Sequence, residues 1–347
     1  MPTISIDTFF ACSLMVSVVI ITIALSANAL DAHLSAFQNL SEEEYLRVFS
    51  EFLVSNCGSP TNWGSNTTSV PGTLGLAKTD SQYPWEVDAD KVCRLNSQNA
   101  FALKYSELLK SSGLNNIALG ISISQMIDIS TSLSSNVTSE NSTIYVFNVH
   151  ASQQGTPVVA SLHCYIFAEY FETEVFNNTS TDGNCCVEFN MPNSVEGPSL
   201  LVTFARASYD PRITAYEVHP FAHLSQETFP NDIFLHLSPL NNTLYVNSNS
   251  SDLTIFHSYV CSYSYQTNMS IISDSAYAIP RMLESPLVLV MTGSNSSTSF
   301  VEWTAYPQLP LEIGSDFADS ESHSFNYIVA TNGNLYRLVV RLGGLSP

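Results

Sequence analysis

The chain has 347 residues, with 31 acidic against 11 basic side chains and a formal charge of −20, and 45% of its residues are hydrophobic. That apolar share is ample for a packed core and excludes a disordered chain. The acidity, with its bases scattered singly, works against a nucleic-acid partner. Only 12% of residues are charged, whereas 51 Ser, 25 Thr and 27 Asn predict a surface covered largely by neutral hydroxyl and amide groups.

No charge interrupts the sequence from Phe9 to Leu25, and the apolar run continues to Leu30. A helix of that length would extend about 33 Å, against a hydrocarbon core of about 30 Å. The run therefore predicts a single membrane-spanning helix. A secretory signal cleaved after Ala29 competes with it, because Ala27-Asn28-Ala29 has the small-x-small form of a cleavage site. The first base after the run is Arg47, so charge does not orient the span.

Two features C-terminal to the run point outward. Ten Asn-x-Ser/Thr sequons are glycosylation candidates, at Asn39, Asn66, Asn136, Asn141, Asn177, Asn178, Asn241, Asn249, Asn268 and Asn295. Six cysteines, Cys57, Cys93, Cys164, Cys185, Cys186 and Cys261, are an even number suited to disulfides in an oxidising compartment. Cys57 with Cys93 is the favoured pair, and adjacent Cys185 and Cys186 are expected to reach different partners. Cys12 lies inside the span and reads as an apolar filler. Sequons and cysteines together favour an exterior position for the C-terminal body, whether the leader is retained or removed.

Between Ser41 and Gly113 the pattern is helical. Ser41 with Glu44 reads as a capping box, followed by Tyr45, Phe49, Phe52 and Leu53 at helical spacing to about Ser55. Residues 56–85 read as a long loop pinned by Trp63, Trp85 and Cys57; a second helix is expected from Asp88 to Gly113. Beyond residue 114 the period changes to two. Ile117, Leu119, Ile121 and Ile123 alternate with small residues, and about a dozen further short strands separated by Asn, Ser, Gly and Pro predict an antiparallel β-sandwich. Asn332-Gly333 between the last two strands is a type I′ hairpin signal.

Several segments share a resemblance. Ile4-Ser5-Ile6-Asp7 leads directly into the apolar run. Asn56-Cys57-Gly58-Ser59-Pro60-Thr61-Asn62-Trp63-Gly64 precedes Leu74-Gly75-Leu76-Ala77 and then Asp88, Lys91, Val92 and Leu95. These segments resemble uncharacterised archaeal type IV pilin-like surface proteins of the class III signal peptide type. The resemblance covers residues 1–110 and implies a membrane anchor, with other pilin-like subunits as partners. Asp7 matches the acid that pairs with a neighbouring subunit's N-terminal amine in that family. Pro2 stands where the family has Gly before its cleavage point, and the leader lacks basic residues. On the residues alone, Asp7 or Ser5 reads equally as a cap of the membrane helix. Ser13 and Ser17 have the small-xxx-small spacing that lets membrane helices approach.

No motif carries a reaction. His219-Pro220-Phe221-Ala222-His223 has two imidazoles four apart, but the proline weakens a helix and no zinc-protease carboxylate accompanies them. These histidines read as loop residues. Glu169, Glu172 and Glu174, and separately Asp316, Asp319 and Glu321, lack the glycine-punctuated spacing of a calcium loop. Gly-x-Ser-x-Gly and phosphate-loop patterns are absent.

The expected fold is α+β and mainly β. It comprises a leader and membrane helix over 1–30, a helical neck over 31–113 and an exterior β-sandwich region over 114–347, as one sandwich or two with a break near 206–232. The expected role is that of a membrane-anchored cell-surface structural or adhesive protein, a pilin-like subunit, with no catalytic residue, no metal and no cofactor. A monomeric surface-anchored binding module and a secreted hydrolase are the alternatives.

Overall fold

In the computed structural model, residues 14–19, 21, 43–81, 83–114, 117–225, 230–250, 252–281, 284–296, 298–314 and 322–343 are described. The chain forms two compact units, residues 1–51 and 52–347. In the first, residues 14–19 and 21 are helical, and Leu14, Met15, Val16, Val18, Val19 and Ile21 are 48–70% exposed. Successive helical residues turn by about 100°, so these positions cover the helix surface except the sector around Ser17. Among the described residues, no helix is long and apolar enough to cross a membrane. Of the predicted span, only residues 14–19 and 21 are among the described residues. Asp7, Cys12, Ser13 and Asn39 lie outside the described residues.

Helix α1 occupies residues 43–55, where the apolar spacing predicts it. The second predicted helix is instead two: α2 (Ala89–Leu95) and α3 (Tyr105–Ser112). Asp88 caps α2 by accepting from Asp90 N and Lys91 N, and Gly113 ends α3 at φ +75°. The break comes at Asn96, whose side-chain oxygen accepts from the Gln98 N–H at 3.0 Å. Such local amide bonds compete with helix continuation.

Among the described residues beyond α3, the second unit is built on five four-stranded antiparallel sheets. The first sandwich faces two of them. One contains β2 (Asp128–Thr138), β3 (Ser142–Gln153), β4 (Thr156–Pro157) and β7 (Asn184–Pro192). The other has the order β6 (Phe171–Asn178), β5 (Ala160–Ala168), β8 (Gly197–Ala207), β9 (Thr214–His223). Their shared core includes Phe147 and Val149 of β3, Phe189 of β7, and Ile166 and Leu201 of the opposing sheet.

The second sandwich is built from β10 (Leu235–Leu240), β11 (Thr243–Ser248), β15 (Ala276–Ala278) and β14 (Ser270–Ser273) on one side. Facing them are β13 (Gln266–Asn268), β12 (Leu253–Cys261), β16 (Leu287–Asn295) and β17 (Thr298–Tyr306). Leu235, Leu244, Leu289 and Phe300 fill that core, and Cys93 of α2 packs into it.

A third apolar cluster joins the sandwiches back to back. Tyr165, Phe167, Val202 and Phe204 of the first meet Tyr259, Val288 and Val290 of the second. Alternation explains this stacking. On β16, Leu287, Leu289 and Met291 face one core, while Val288 and Val290 face the other. Strands β5, β8 and β16 are thus covered on both faces, which is why their sequences are near-continuous apolar runs. Burying one large apolar side chain contributes ~1.5–3 kcal/mol, so opening this cluster would exceed a typical net stability of about 5–15 kcal/mol.

The fifth sheet has the order β18 (Leu311–Gly314), β1 (Ala118–Gln125), β20 (Asn334–Gly343), β19 (Ser322–Thr331). Tyr336, Leu338, Val340 and Leu342 are buried while Arg337 and Arg341 are exposed, as the alternation predicts. Asn332 and Gly333 turn the hairpin at φ +47° and +83°, both in the left-handed region that a type I′ turn requires. This sheet is tied to the helical segment by Tyr105 Oη, which donates to Leu119 O at 3.0 Å, and by the Val87 N–H, which donates to Ala330 O at 2.8 Å.

The loop 56–85 is held by buried bases. Lys91 Nζ donates to the carbonyls of Cys57 and Ala77 at 2.8 and 2.6 Å. Arg94 donates to the carbonyls of Trp63, Asn66, Ser69 and Phe101. Trp63 is fully buried and donates its indole N–H to Gly75 O at 3.1 Å.

Candidate functional site

An open cleft of about 440 Å³ lies at the free edge of β17. Five separated segments form it: the α2–α3 connection, Tyr216 of β9, the stretch around Asn231, the end of β17, and the residues leading into and starting β18. A smaller cavity of about 100 Å³ shares Gln98, Asn231, Trp303, Thr304 and Gln308 with it. The two therefore make one elongated groove beside Trp303.

The groove walls are fixed by amide side chains. Asn96 Nδ2 donates to Gln308 O at 3.1 Å, and Asn99 Nδ2 donates to Gln308 Oε1 at 2.7 Å. Gln308 Nε2 in turn donates to Thr304 Oγ1 at 3.1 Å. Asn231 Nδ2 donates to Trp303 O at 2.8 Å, and its Oδ1 accepts from the Trp303 N–H at 2.9 Å. One side chain thus satisfies the edge backbone in the way a further strand would.

Neighbouring Glu302 accepts from the N–H groups of Phe234 and Leu235, both at 2.6 Å, and so docks the segment after Asn231. Burial pushes its carboxyl above the ordinary range, against the pull of those backbone donors. Beneath the groove, Tyr216 meets Trp303 edge-on, with ring centroids 6.5 Å apart at 78°. Burial pushes the Tyr216 phenol upward, and its hydroxyl donates to Leu309 O.

The groups left to meet a ligand are Trp303 Nε1, the Ser97 hydroxyl, the Gln98 amide and the Glu312 carboxylate. All line the groove, and among the described residues none of them has a side-chain hydrogen bond. The groove's other carboxylate, Asp232, is engaged by His236 Nδ1 at 2.9 Å. No nucleophile–base pair is assembled here among the described residues. The arrangement can hold a molecule.

The residues singled out in the sequence fall elsewhere. Cys57, Cys93, Cys164, Cys185, Cys186 and Cys261 are all free thiols, so the expected Cys57–Cys93 bridge is not made. Cys57 turns to Lys78 O, whereas Cys93 is buried in the second core. Cys185 packs against the first core and its neighbour Cys186 is exposed, since successive strand residues point to opposite faces. Of the sequons, Asn66, Asn136, Asn141, Asn178, Asn241, Asn249 and Asn268 are exposed, and Asn177 and Asn295 are half-buried. Ser17 is an exposed helical residue.

His219 and His223 belong to β9 rather than to a loop. His223 is fully buried, with Tyr145 Oη at 2.8 Å from Nδ1 and Pro192 O at 3.1 Å from Nε2. Its role is structural. Glu169, Glu172 and Glu174 are each held by a different partner: Ser299 Oγ at 2.7 Å, Gln266 Nε2 at 2.5 Å and His163 Nε2 at 2.9 Å. Among the described residues no group of three or more His, Cys, Asp or Glu could hold a metal. Asp316, Asp319 and Glu321 lie outside the described residues. The groove itself had one sequence signal, the amide-rich run Asn96-Ser97-Gln98-Asn99 at a helix interruption.

No family model and no curated protein matches the chain. Among solved structures, HBP35 of Porphyromonas gingivalis is similar at 9% identity and a TM-score of 0.22, over 64% of this chain and 71% of that one. Human GIVD cytosolic phospholipase A2 is similar at 10% identity and a TM-score of 0.16, over 66% of this chain and 32% of that one. At these scores neither likeness bears on fold or role.

Proposed function

We propose that the chain is a membrane-anchored cell-surface structural or adhesive protein, with its N-terminal apolar helix in the lipid and its β-rich body outside. The observation that carries this reading is the exposure of Leu14, Met15, Val16, Val18, Val19 and Ile21 around one helix, on all but the sector of Ser17. A helix that is apolar all round is stable only within a core or in lipid. The acidic, sequon-bearing body and the open groove support a contact role. Pilin-like assembly through Asp7, Ser13 and Ser17 is part of the proposal on the strength of the sequence resemblance.

The test is fractionation of cells producing the tagged full-length chain, with protease added to intact cells. Recovery in the membrane fraction, with the body digested from outside, is the expected result; full-length protein in the cytosol refutes the reading. Asp7→Ala then separates a subunit from a monomeric module, since assembly in native membranes should fall if Asp7 pairs subunits.

A further inference from the structure

We infer that the Trp303 groove binds a neutral oligosaccharide segment. The inference rests on the proposed adhesive role and names its ligand class. A sugar ring presents a face of C–H bonds and a rim of hydroxyls, each both donor and acceptor. The groove offers the matching chemistry: an indole beside uncharged hydroxyl and amide groups, Ser97 and Gln98, that can both give and take hydrogen bonds.

Charge narrows the ligand. No Lys or Arg lines either cavity among the described residues, and the one imidazole, His236, is already engaged by Asp232, so a phosphate, sulfate or carboxylate ligand would meet no free counter-charge. Glu312 is the carboxylate of the larger cavity, and it can accept from sugar hydroxyls. Shape narrows it further. A volume of about 440 Å³ lies within the usual range for small-ligand clefts, about 300–1,000 Å³. The continuation past Trp303 into the second cavity suits a chain of sugar units better than one ring.

The site is also preorganised. Asn96, Asn99, Asn231 and Gln308 are already locked by hydrogen bonds, so little side-chain ordering is left to oppose binding.

The experiment uses the full chain in a zwitterionic detergent, because sugar-headed detergents would compete. Neutral gluco-, manno- and N-acetylglucosamine oligomers are titrated by calorimetry beside sulfated and uronic-acid oligomers. At least one neutral oligomer should bind and the acidic ones should not. Trp303→Ala and Gln98→Ala should each weaken binding by about tenfold or more. Gln98 is exposed, so its variant keeps the test valid should Trp303→Ala fail to fold.

Absence of binding by any neutral oligomer, preference for acidic ones, or unchanged affinity in Gln98→Ala overturns the inference. Release of new reducing ends also overturns it, by making the groove catalytic. Cell fractionation is an independent readout: surface protein without sugar binding defeats only this inference, and cytosolic protein defeats only the proposed location.

Discussion

Lys91 Nζ donates to the carbonyl of Cys57 at 2.8 Å, across 34 residues of sequence. A second bond goes to Ala77 O at 2.6 Å, and the ammonium lies 5.8 Å from the Trp63 ring centroid. Burial pushes the lysine below its ordinary pKa, although Asp88 favours the charge. Truncating it to alanine leaves two carbonyls without this donor and opens a void beside Gly64. Lys91→Ala should cost about 2–4 kcal/mol. Urea unfolding monitored by tryptophan fluorescence measures this, and a loss below ~1 kcal/mol would show that water replaces the ammonium.

Gly75 is pressed against the backbone of the same knot. A Cβ there would lie 2.3 Å from Asn56 O and 2.5 Å from Gly58 N. Backbone cannot yield as a flexible side chain does, so Gly75→Ala should destabilise by about 1–3 kcal/mol. Gly72→Ala is the control, its nearest atom being Ser59 O at 3.8 Å. Thermal melts of the two variants should separate clearly.

Glu284 supplies a signed pH dependence. Burial alone would raise its pKa, but bonds from Ser262, Ser264 and Arg206, with the Arg206 charge, bring the net value below the ordinary 4.5. A depressed folded-state value means stability that is complete above the unfolded pKa and lost as pH falls through the lower folded one. The stability gap between wild type and Glu284→Gln should therefore persist at pH 7, narrow as pH falls below the ordinary 4.5 and close once pH lies below the depressed folded value. Paired urea titrations across that window would detect a gap that fails to narrow.

Thiol chemistry tests the unbridged cysteines. Cys93, Cys164 and Cys261 are buried, and burial pushes each thiol above its ordinary value, Cys164 to about 12. Thiolate is the reactive form. Iodoacetamide should label exposed Cys186 first in the native protein, and the three buried cysteines only after unfolding. Mass spectrometry of the labelled peptides reads the order, and a bridge among these positions would appear as missing label in the unfolded, unreduced sample.

The overlapping sequons at Asn177 and Asn178 should not be equivalent. Asn177 Nδ2 donates to Cys186 O at 3.0 Å, tying β6 to β7, while Asn178 is exposed. In a glycosylating host, Asn178→Gln should remove the glycan of this pair and Asn177→Gln should leave it. Intact-mass measurement distinguishes the two.

Much of the architecture is readable in the amino-acid order because the inner strands are sandwiched. Strands such as β8 and β16 announce themselves as apolar runs, and β20 by strict alternation. Strand β2 is hidden because Asp-Ile-Ser-Thr-Ser-Leu-Ser-Ser-Asn-Val-Thr is an exposed sheet edge whose three apolar residues, Ile129, Leu133 and Val137, are too sparse to show the period of two. The Asn96 break is hidden because Leu95, Ala102 and Leu109 keep helical spacing across it. The groove is the least legible feature: its central bond joins Asn96 to Gln308, 212 residues apart, and no local pattern encodes such a meeting.

The back-to-back stacking of the two sandwiches has a mechanical consequence. A strand in either middle sheet cannot be peeled away without wetting two cores at once, so traction on the body should meet one high barrier rather than a series of small ones. Proteases, likewise, would find footholds at the loops and outer edges long before they reached the interior layers.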